Sequence, residues 1–304
     1  MLLGVDGGGT KTDVIVADLD GNPVGTARVG CTNHESIGLS AAMAELHRGV
    51  QQALTDAGAA THDVVAAAFG LAGVDWSSDE RAIDAELGGF GLGGVRTVVN
   101  DSMIALRAGS STGWGIVSSI GTGAVTAGVN RVGVRNRSMS VGWGEPCGSS
   151  SLVADALHAV AAQHHRTGPP TVLTDRFLEA LGVVDVLSLF EGISRRTLRV
   201  DGRLAPLLQQ VADHGDRVAI DLLHRSGGQH AAMVVGVADH LSIRDEHFEL
   251  VTAGGVHNGG GRFVEAFAAH IAAHCPKAAI VPLVQPPVTG AVLLALDLTR
   301  SRRA

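Results

Sequence analysis

The alternation of apolar and polar positions predicts three strands at the start of the chain. Short β-rich runs occupy residues 2–6, 12–18 and 23–29, and an Asp-Gly-Asn turn at residues 20–22 separates the second run from the third. Apolar residues then recur at helical spacing over residues 37–57. The pattern therefore predicts an antiparallel meander followed by a helix.

The rest of the chain alternates strands with helices and contains a long helical middle. In the first third of the chain, a strand is predicted at residues 63–70, a helix at 78–87, a strand at 95–100 and a short helix from residue 102. Together with the meander and the first helix, these elements give the order βββαβαβα. Both halves open with a strand, a Gly/Thr turn and a strand, which indicates a weak internal repeat and a boundary between residues 109 and 113. The second half is predicted to have strands at 114–120, 124–129, near 138–141, 248–252 and 278–281, and helices within 152–240 and at 262–274 and 288–298.

Composition and charge narrow the classes of function. Glycine accounts for 41 of 304 residues and apolar residues for 45%, which favours a globular chain of about two domains with many turns and close backbone approaches. A net charge of −7 provides no positive field that would attract nucleic acid. The three cysteines are widely spaced, the N-terminus is typical of a buried strand, and no segment is typical of a membrane helix. We expect a cytoplasmic protein with no nucleic-acid or membrane partner.

The first glycine-rich turn has the composition of a phosphate-binding loop. Residues 7–12 read Gly-Gly-Gly-Thr-Lys-Thr between two predicted strands, and they combine open backbone N–H groups with hydroxyl and ammonium donors. The spacing differs from that of a Walker A loop, and a strand follows instead of a helix. A tight hairpin turn is the alternative, although three consecutive glycines exceed what a hairpin needs. Asp6, at the end of the first strand, is placed either to hold Mg²⁺ through water or to cap the turn.

Three other segments have both a structural and a functional interpretation. Residues 121–123, Gly-Thr-Gly, repeat the chemistry of the first turn, although such turns are common in β meanders. Residues 100–102, Asn-Asp-Ser, lie where a strand ends and a helix begins, so they either cap the helix or supply a general base for an acceptor hydroxyl, and the local sequence favours capping. A GxGxxG match at residues 89–94 follows a helix and precedes a strand, which indicates a connector and not a dinucleotide site.

Eight short sequences occur in the order that is seen in one known family. They are GVDGGGTKT at 4–12, CTNHESIG at 31–38, FGLAGVD at 69–75, VVND at 98–101, IGTGA at 120–124, GWG at 142–144, TAGGV at 252–256 and PPVTGAVLLA at 286–295. On these sequences, nearly the whole chain resembles N-acetylglucosamine kinases of the BadF/BadG/BcrA/BcrD group. Each sequence is modest alone, but eight in register are highly specific.

The resemblance implies an α/β fold of duplicated actin-like ATPase domains, which are ribonuclease H-like, with a nucleotide cleft between them. The implied domains are residues 1–109, with the first phosphate loop, the sugar loop and the catalytic aspartate, and residues 110–304, with the second phosphate loop and the adenosine motif. The helix at 288–298 is expected to pack back on the N-terminal domain. The resemblance also implies ATP and Mg²⁺ as cofactors, a small sugar as substrate and a homodimer.

The resemblance assigns roles to individual residues. It makes Asp101 the catalytic base, which reverses the local preference for capping, and it places Mg²⁺ near Asp6 through water. The implied phosphate-binding residues are Gly8, Gly9, Thr10, Lys11, Thr12, Gly121, Thr122 and Gly123. The implied adenosine-binding residues are Gly254, Gly255 and Asn258. The implied sugar-binding residues are Asn33, His34, Asp101, Thr122, Gly142 and Trp143, to which our own hypothesis below adds Glu145.

The chain departs from the family pattern at one motif. After Gly-Trp-Gly the family continues to Gly-Asp-Glu-Gly-Ser, whereas residues 148–151 of this chain are Gly-Ser-Ser-Ser, so both acids are absent. A carboxylate accepts stronger hydrogen bonds from sugar hydroxyls than serine does, so we expect a different acceptor or a low activity. Our hypothesis is that Glu145 partly replaces the lost carboxylate, and the alternative is a surface turn before Pro146.

Three functions follow from these observations. The leading hypothesis is an ATP-dependent kinase that phosphorylates a hydroxyl of N-acetylglucosamine or a related amino sugar, with Asp101 as general base. The second is a sugar-binding regulatory protein with weak or lost kinase activity, which the missing acids motivate. The third is a BadF-type ATPase that acts on a non-sugar acceptor. ATPases of this third kind include the activators of radical dehydratases, which hold an iron–sulfur cluster with cysteines. The cysteines of this chain, Cys31, Cys147 and Cys275, do not match the cysteine motifs of those activators.

Overall fold

The computed structural model describes residues 1–139 and 146–301, and it divides the chain into two compact units. Unit 1 comprises residues 1–117 together with 281–304, and unit 2 comprises residues 118–280. The first unit thus extends beyond residue 109 and includes the C-terminal helix. Residues 142, 143 and 145, for which the sequence predicted sugar contacts, lie outside the described residues.

The described residues form ten strands and twelve α-helices, besides three single 3-10 turns. The strands are β1 (Leu2–Gly7), β2 (Thr12–Ala17), β3 (Pro23–Val29), β4 (Ala66–Leu71), β5 (Val95–Asn100), β6 (Gly115–Ile120), β7 (Ala124–Val129), β8 (Arg135–Arg137), β9 (Phe248–Ala253) and β10 (Ala278–Pro282). The helices are α1 (His34–Ile37), α2 (Leu39–Asp56), α3 (Ser77–Leu87), α4 (Asp101–Gly109), α5 (Ser149–His164), α6 (Leu173–Leu181), α7 (Val186–Ser194), α8 (Ala205–Asp213), α9 (Arg217–His240), α10 (Gly255–Asn258), α11 (Gly261–His274) and α12 (Pro287–Ser301).

Unit 1 is built on a five-stranded sheet with the order β3-β2-β1-β4-β5. The strand β2 runs antiparallel to both β1 and β3, as the meander pattern predicted, and β4 and β5 run parallel to β1. Because β1 and β4 lie in the middle of the sheet, both of their faces are buried. The parallel strands β1, β4 and β5 therefore all end at the same edge of the sheet.

Helices cover both faces of this sheet. One face, with Leu3 and Val5 of β1, forms a core with α2 and α3, and the opposite face packs on α4 and α12. An ion pair between Arg107 Nε of α4 and Asp297 Oδ2 of α12, 2.7 Å apart, adds to that second layer. The C-terminal helix is thus part of the unit that contains the N-terminus.

The sheet of unit 2 has the order β10-β9-β6-β7-β8, and the helices α5, α8, α9 and α11 pack against one another in the same unit. Half of the strand predicted near residues 138–141, namely residues 140 and 141, lies outside the described residues, and the strand described just before it is β8. A turn that Asn130 closes precedes β8, because Asn130 Oδ1 accepts hydrogen bonds from the backbone N–H groups of Val132 and Val134. Among residues 1–139 and 146–301, no helix combines the length and apolarity that crossing a membrane requires.

Candidate functional site

Two carboxylates that the sequence singled out lie at one edge of the sheet in unit 1. Gly7 pairs with Leu71, which pairs in turn with Asn100, so β1, β4 and β5 end in register. Asp6 precedes Gly7 in β1, and Asp101 opens α4 directly after β5. The fold therefore brings together two acids that are 95 positions apart in the chain.

Burial and neighbouring charge perturb Asp6. Burial, the largest cause, and then the negative charges of Asp101 and Asp13 raise the pKa of Asp6 from 3.8 to about 6, although Lys11 acts in the opposite direction. A poorly solvated carboxylate next to a second one gains from a bound cation, and hard carboxylate oxygens are ligands that Mg²⁺ accepts. Asp6 therefore fits the role of holding Mg²⁺.

Asp13 is a third acid of this edge, and the sequence reasoning missed it. Asp13 lies directly opposite Asp6 in the antiparallel pair of β1 and β2. Its carboxylate binds Lys11 Nζ at 2.6 Å and also Arg28 Nε. Burial would raise the pKa of Asp13, but these hydrogen bonds outweigh that effect and keep the pKa below its usual value. The register of the predicted hairpin was the signal that could have identified it.

The glycine-rich turn between β1 and β2 is tight, with a hydrogen bond of 3.0 Å from the N–H of Gly8 to the carbonyl of Lys11. Gly9, Thr10 and Lys11 are exposed, as a phosphate loop requires. A Cβ at Gly9 would meet no atom within 4 Å, so the fold itself does not demand glycine at that position.

The hydroxyl of Thr12, which was predicted to be a phosphate-binding residue, makes its hydrogen bonds within the protein. Thr12 is buried, and its Oγ1 donates to the carbonyl of Gly30 at 2.9 Å and lies 2.7 Å from Thr32 Oγ1. The hydroxyl is therefore used to hold the segment before α1 against the start of β2. Buried polar groups need such partners, so this role is structural.

The structure separates the two roles that residues 100–102 could have. Asn100 is the N-cap of α4, because its Oδ1 accepts a hydrogen bond from the backbone N–H of Ser102 at 3.1 Å. Asp101 is the first helical residue and does not perform the capping. Capping therefore does not account for Asp101, whose charge also contributes to the raised pKa of Asp6.

The predicted sugar loop forms the start of the short helix α1. Asn33 is its N-cap, and Asn33 Oδ1 accepts a hydrogen bond from the N–H of Glu35 at 2.9 Å. His34 Nε2 lies 3.9 Å from Asp79 Oδ1, and His34 Nδ1 is buried without a hydrogen-bond partner among the described residues. The side chains of both predicted residues are thus held in a partly buried loop of unit 1.

Unit 2 contains a cavity of about 560 Å³ that brings together the second Gly/Thr turn and the predicted adenosine motif. Gly121, Thr122 and Gly255 line it, although more than 130 residues separate the two motifs in sequence. Its other lining residues are Ser149, Leu152, Gly202, Arg203, Ala205, Pro206, Gln209, Gln210, Leu223, Val256, Gly259, Gly260 and Phe263. Apolar walls with a few polar groups and exposed backbone are typical of a pocket for a small organic ligand.

The two neighbouring glycines of the adenosine motif, Gly254 and Gly255, occupy positions with different steric requirements. Gly254 has φ +91°, and a Cβ there would lie 2.3 Å from the carbonyl oxygen of Ile120, so the fold requires glycine. Gly255 and Gly121 have no positive φ, and a Cβ at either position would meet no atom within 4 Å, so their openness is available to a ligand. Asn258 is exposed and does not line the cavity, whereas the next two residues, Gly259 and Gly260, do line it.

The serines that replace the family acids hold the second turn to α5. The N–H groups of Ser149 and Ser150 donate to the carbonyls of Gly121 and Thr122 at 2.9 and 3.3 Å. Ser151 Oγ donates to the carbonyl of Gly148 and accepts from the N–H of Cys147. This segment therefore stabilises the turn, and Ser149 also lines the cavity.

Sequence reasoning missed the helical walls of the cavity because no local motif marks them. Arg203 is one such residue: its Nε and Nη2 bind the carboxylate of Asp201 at 2.9 and 3.0 Å, and these bonds keep the pKa of Asp201 well below its usual range. Phe263 belongs to α11 and contacts the ring of His257. Their contribution follows from helix packing alone.

Buried His257 anchors the turn that follows the adenosine motif. Its Nε2 lies 3.0 Å from Ser118 Oγ of β6, and its ring packs edge-on against Phe267. Burial, with a smaller effect of His230, lowers the pKa of His257 to about 4, so the ring is neutral near pH 7. A neutral, hydrogen-bonded histidine fixes α10 at the floor of the cavity.

Comparisons with known proteins agree with this arrangement. A sequence profile described as the BadF/BadG/BcrA/BcrD ATPase family matches residues 3–295. An N-acetyl-D-glucosamine kinase of Dictyostelium discoideum is 28% identical, with 98% of each chain covered. An N-acetylmuramic acid/N-acetylglucosamine kinase of Clostridium acetobutylicum is 27% identical, with 97% of each chain covered. The solved structure of a candidate N-acetylglucosamine kinase from Chromobacterium violaceum has a TM-score of 0.71 and 22% identity, covering 97% of this chain and 98% of the other.

These findings confirm the resemblance that the eight short sequences indicated. The α/β fold with two actin-like ATPase domains is confirmed, because the matching structure extends over almost the whole of both chains. The expectation of an ATP-dependent phosphotransferase is confirmed as well.

Proposed function

The chain belongs to the BadF/BadG/BcrA/BcrD ATPase family, and we propose that it is an ATP-dependent kinase that phosphorylates a hydroxyl of a small amino sugar. N-acetylglucosamine is the first sugar to test, because the curated relatives from Dictyostelium discoideum and Clostridium acetobutylicum are both named as kinases of it. The proposed homodimer and cytoplasmic location remain predictions.

The observation that carries the proposal is the cavity of unit 2. It joins Gly121 and Thr122, which were predicted to bind phosphate, to Gly255, which was predicted to bind adenosine. Its volume of about 560 Å³ suits a nucleoside with part of its phosphate chain. The backbone N–H groups of such turns favour phosphate oxygens.

The carboxylates of unit 1 supply the chemistry of transfer. In the proposed reaction, Asp101 accepts the proton of the sugar hydroxyl, and the oxygen of that hydroxyl attacks the γ-phosphorus of ATP. The bond between the γ-phosphorus and the oxygen that bridges it to the β-phosphate breaks, and ADP leaves with that oxygen. Asp6 would hold Mg²⁺ through water, and the cation would supply neutralisation of the phosphate charge. Lys11 is the cationic donor of the first turn, and its exposed Nζ lies 2.6 Å from Asp13 Oδ2.

The test is an ADP-release assay over hexosamines, hexoses and aminocyclitols, with the phosphorylated product identified by mass spectrometry. We expect sugar-dependent ADP release with an N-acetylated amino sugar as the preferred acceptor. The variant Asp101→Asn serves as the control for background hydrolysis. ADP release that no sugar stimulates would contradict the proposal, and tight sugar binding without a phosphorylated product would favour the regulatory protein.

A further inference from the structure

The amide of Asn100 is held by hydrogen bonds on all sides. Its Oδ1 accepts from both the N–H and the hydroxyl of Ser102, and its Nδ2 donates to the carbonyl of Val74 at 3.2 Å and to Asp75 Oδ1 at 3.1 Å. An amide has two donor hydrogens and two acceptor lone pairs, so these four bonds use its full capacity. Asn100 is also buried, with 9% of its surface exposed.

The four bonds define one orientation of the amide. The oxygen must face the start of α4, and the nitrogen must face the segment that follows β4, because a flipped amide would oppose donor to donor and acceptor to acceptor. The partner segment is itself fixed, since Asp79 Oδ2 accepts hydrogen bonds from the N–H groups of Asp75 and Trp76 at 3.0 and 2.8 Å. Asn100 therefore links a braced loop to the first turn of α4.

We propose that Asn100, with its amide oriented by Asp75, is a positioning residue for the Asp101 carboxylate and does not bind the sugar. This inference rests on the proposed function, in which Asp101 is the general base. Asp101 follows Asn100 directly, so the cap sets the point at which α4 begins and thereby the place of the carboxylate. No donor or acceptor of the Asn100 amide is left over for a substrate.

The expected cost of losing this link is large for catalysis and small for nucleotide binding. Misplacing a reacting group by about 1 Å can lower a rate about 100-fold. Asn100→Ser keeps an oxygen for the N–H of Ser102 but removes both donors to residues 74 and 75. We expect kcat to fall about 100-fold, with the KM values for ATP and for the sugar changed less than about threefold.

A charge test separates positioning from simple loss of stability. Asn100→Asp places a second carboxylate against Asp75, and two carboxylates at hydrogen-bond distance raise one of their pKa values. We expect the acidic limb of the kcat–pH profile to move to higher pH. The double variant Asp75→Asn/Asn100→Asp reverses the donor and the acceptor of this bond but leaves the carbonyl of Val74 without its donor, so it should recover part of the kcat that Asn100→Asp loses.

Asn130→Ser is the matched control. Asn130 also caps a turn through Oδ1 and donates from Nδ2 to a distant carbonyl, that of Leu241 at 3.2 Å, but it lies in the β7–β8 turn of unit 2. It should lower the melting temperature as Asn100→Ser does and leave kcat unchanged. Equal kcat values in the two variants would overturn the positioning role, and a rise confined to the sugar KM in Asn100→Ser would identify Asn100 as a sugar ligand instead.

The experiment also distinguishes failure of the inference from failure of the proposed function. If the wild-type protein phosphorylates no sugar, the proposed function is wrong, and the hydrogen bonds of Asn100 then have no catalytic role. Hydrogen exchange of the peptide over residues 99–106 then still reports whether Asn100→Ser loosens the start of α4. An active wild type with unchanged kcat and unchanged exchange in Asn100→Ser overturns the inference alone.

Discussion

Each unit has a Gly/Thr turn between two strands, but the two turns have different surroundings. In unit 1, the turn after β1 lies beside Asp6, Asp13 and Asp101, and the hydroxyl of its last threonine is buried. In unit 2, the turn after β6 lines a largely apolar cavity, and Thr122 is part of that lining. The same short motif thus lies at an acidic edge in one unit and at a largely apolar pocket in the other.

This difference teaches that the motif specifies a backbone shape, whereas residues from other elements decide its chemistry. Carboxylates at the ends of parallel strands can hold a cation and accept a proton. Glycines and helical side chains around the second turn can bind a base and phosphates through shape and backbone donors. If that division is right, variants of unit 1 should change turnover and variants of unit 2 should change nucleotide affinity.

The largest expected effect is that of Asp101→Asn. Removing the general base should lower kcat about 10³-fold, since such groups contribute about 10² to 10⁴, while the affinity for an ATP analogue stays within about twofold. Steady-state kinetics and calorimetry measure the two quantities. Asp84→Asn, which alters an exposed ion pair with Arg96, is the control. Retained turnover in Asp101→Asn would remove the distinction between the units.

Asp6→Asn should stabilise the protein at neutral pH. The pKa of Asp6 is raised from 3.8 to about 6 in the folded state, so the folded state binds this proton more tightly, and stability is lost as the pH rises through that window. The loss amounts to at most about 3 kcal/mol at pH 8. Denaturant unfolding without Mg²⁺ should therefore show Asp6→Asn more stable at pH 8, with a smaller advantage at pH 4. A pH-independent difference would disprove the raised pKa.

Gly254→Ala and Gly255→Ala should separate folding from binding. Gly254→Ala forces a side chain into a positive φ and against the carbonyl of Ile120, which should cost at least about 2 kcal/mol of unfolding free energy. Gly255→Ala meets no protein atom, so stability should change by less than about 1 kcal/mol while the affinity for ATP falls. Urea unfolding and calorimetry on both variants provide the check. Unchanged ATP affinity in Gly255→Ala would argue against a nucleotide in this cavity.

The smallest effects are expected from the two threonines. Thr12→Val leaves the Gly30 carbonyl and the Thr32 hydroxyl without a buried partner, which should cost about 1 to 3 kcal/mol with the KM for ATP unchanged. Thr122→Val should instead raise the KM for ATP and leave the stability within about 0.5 kcal/mol. Thermal unfolding and kinetics on the pair test the comparison directly. A raised KM for ATP in Thr12→Val would support the prediction that Thr12 binds phosphate.

Local patterns predicted most of the fold of unit 1. The strand β5 has the predicted bounds, and α2 begins and ends within two residues of its prediction, because period and glycine punctuation are properties of neighbouring residues. The start of β8 at Arg135 was not predicted, because it depends on a turn that the Asn130 side chain closes. Unit 1 joins residues 1–117 to α12, which packs on α4 and β1, and this contact involves residues from opposite ends of the chain.

The sequence by itself determined the two Gly/Thr turns, the acids Asp6 and Asp101, and the family, because short motifs in a fixed order carry that information. Only the tertiary structure decided that Asp13 lies opposite Asp6, that Thr12 is buried, and that Asn100 caps α4 in place of Asp101. It also decided the walls of the cavity, which come from helices without any motif. The physical reason is that register, burial and hydrogen-bond partners depend on residues that are distant along the chain and meet only when it folds.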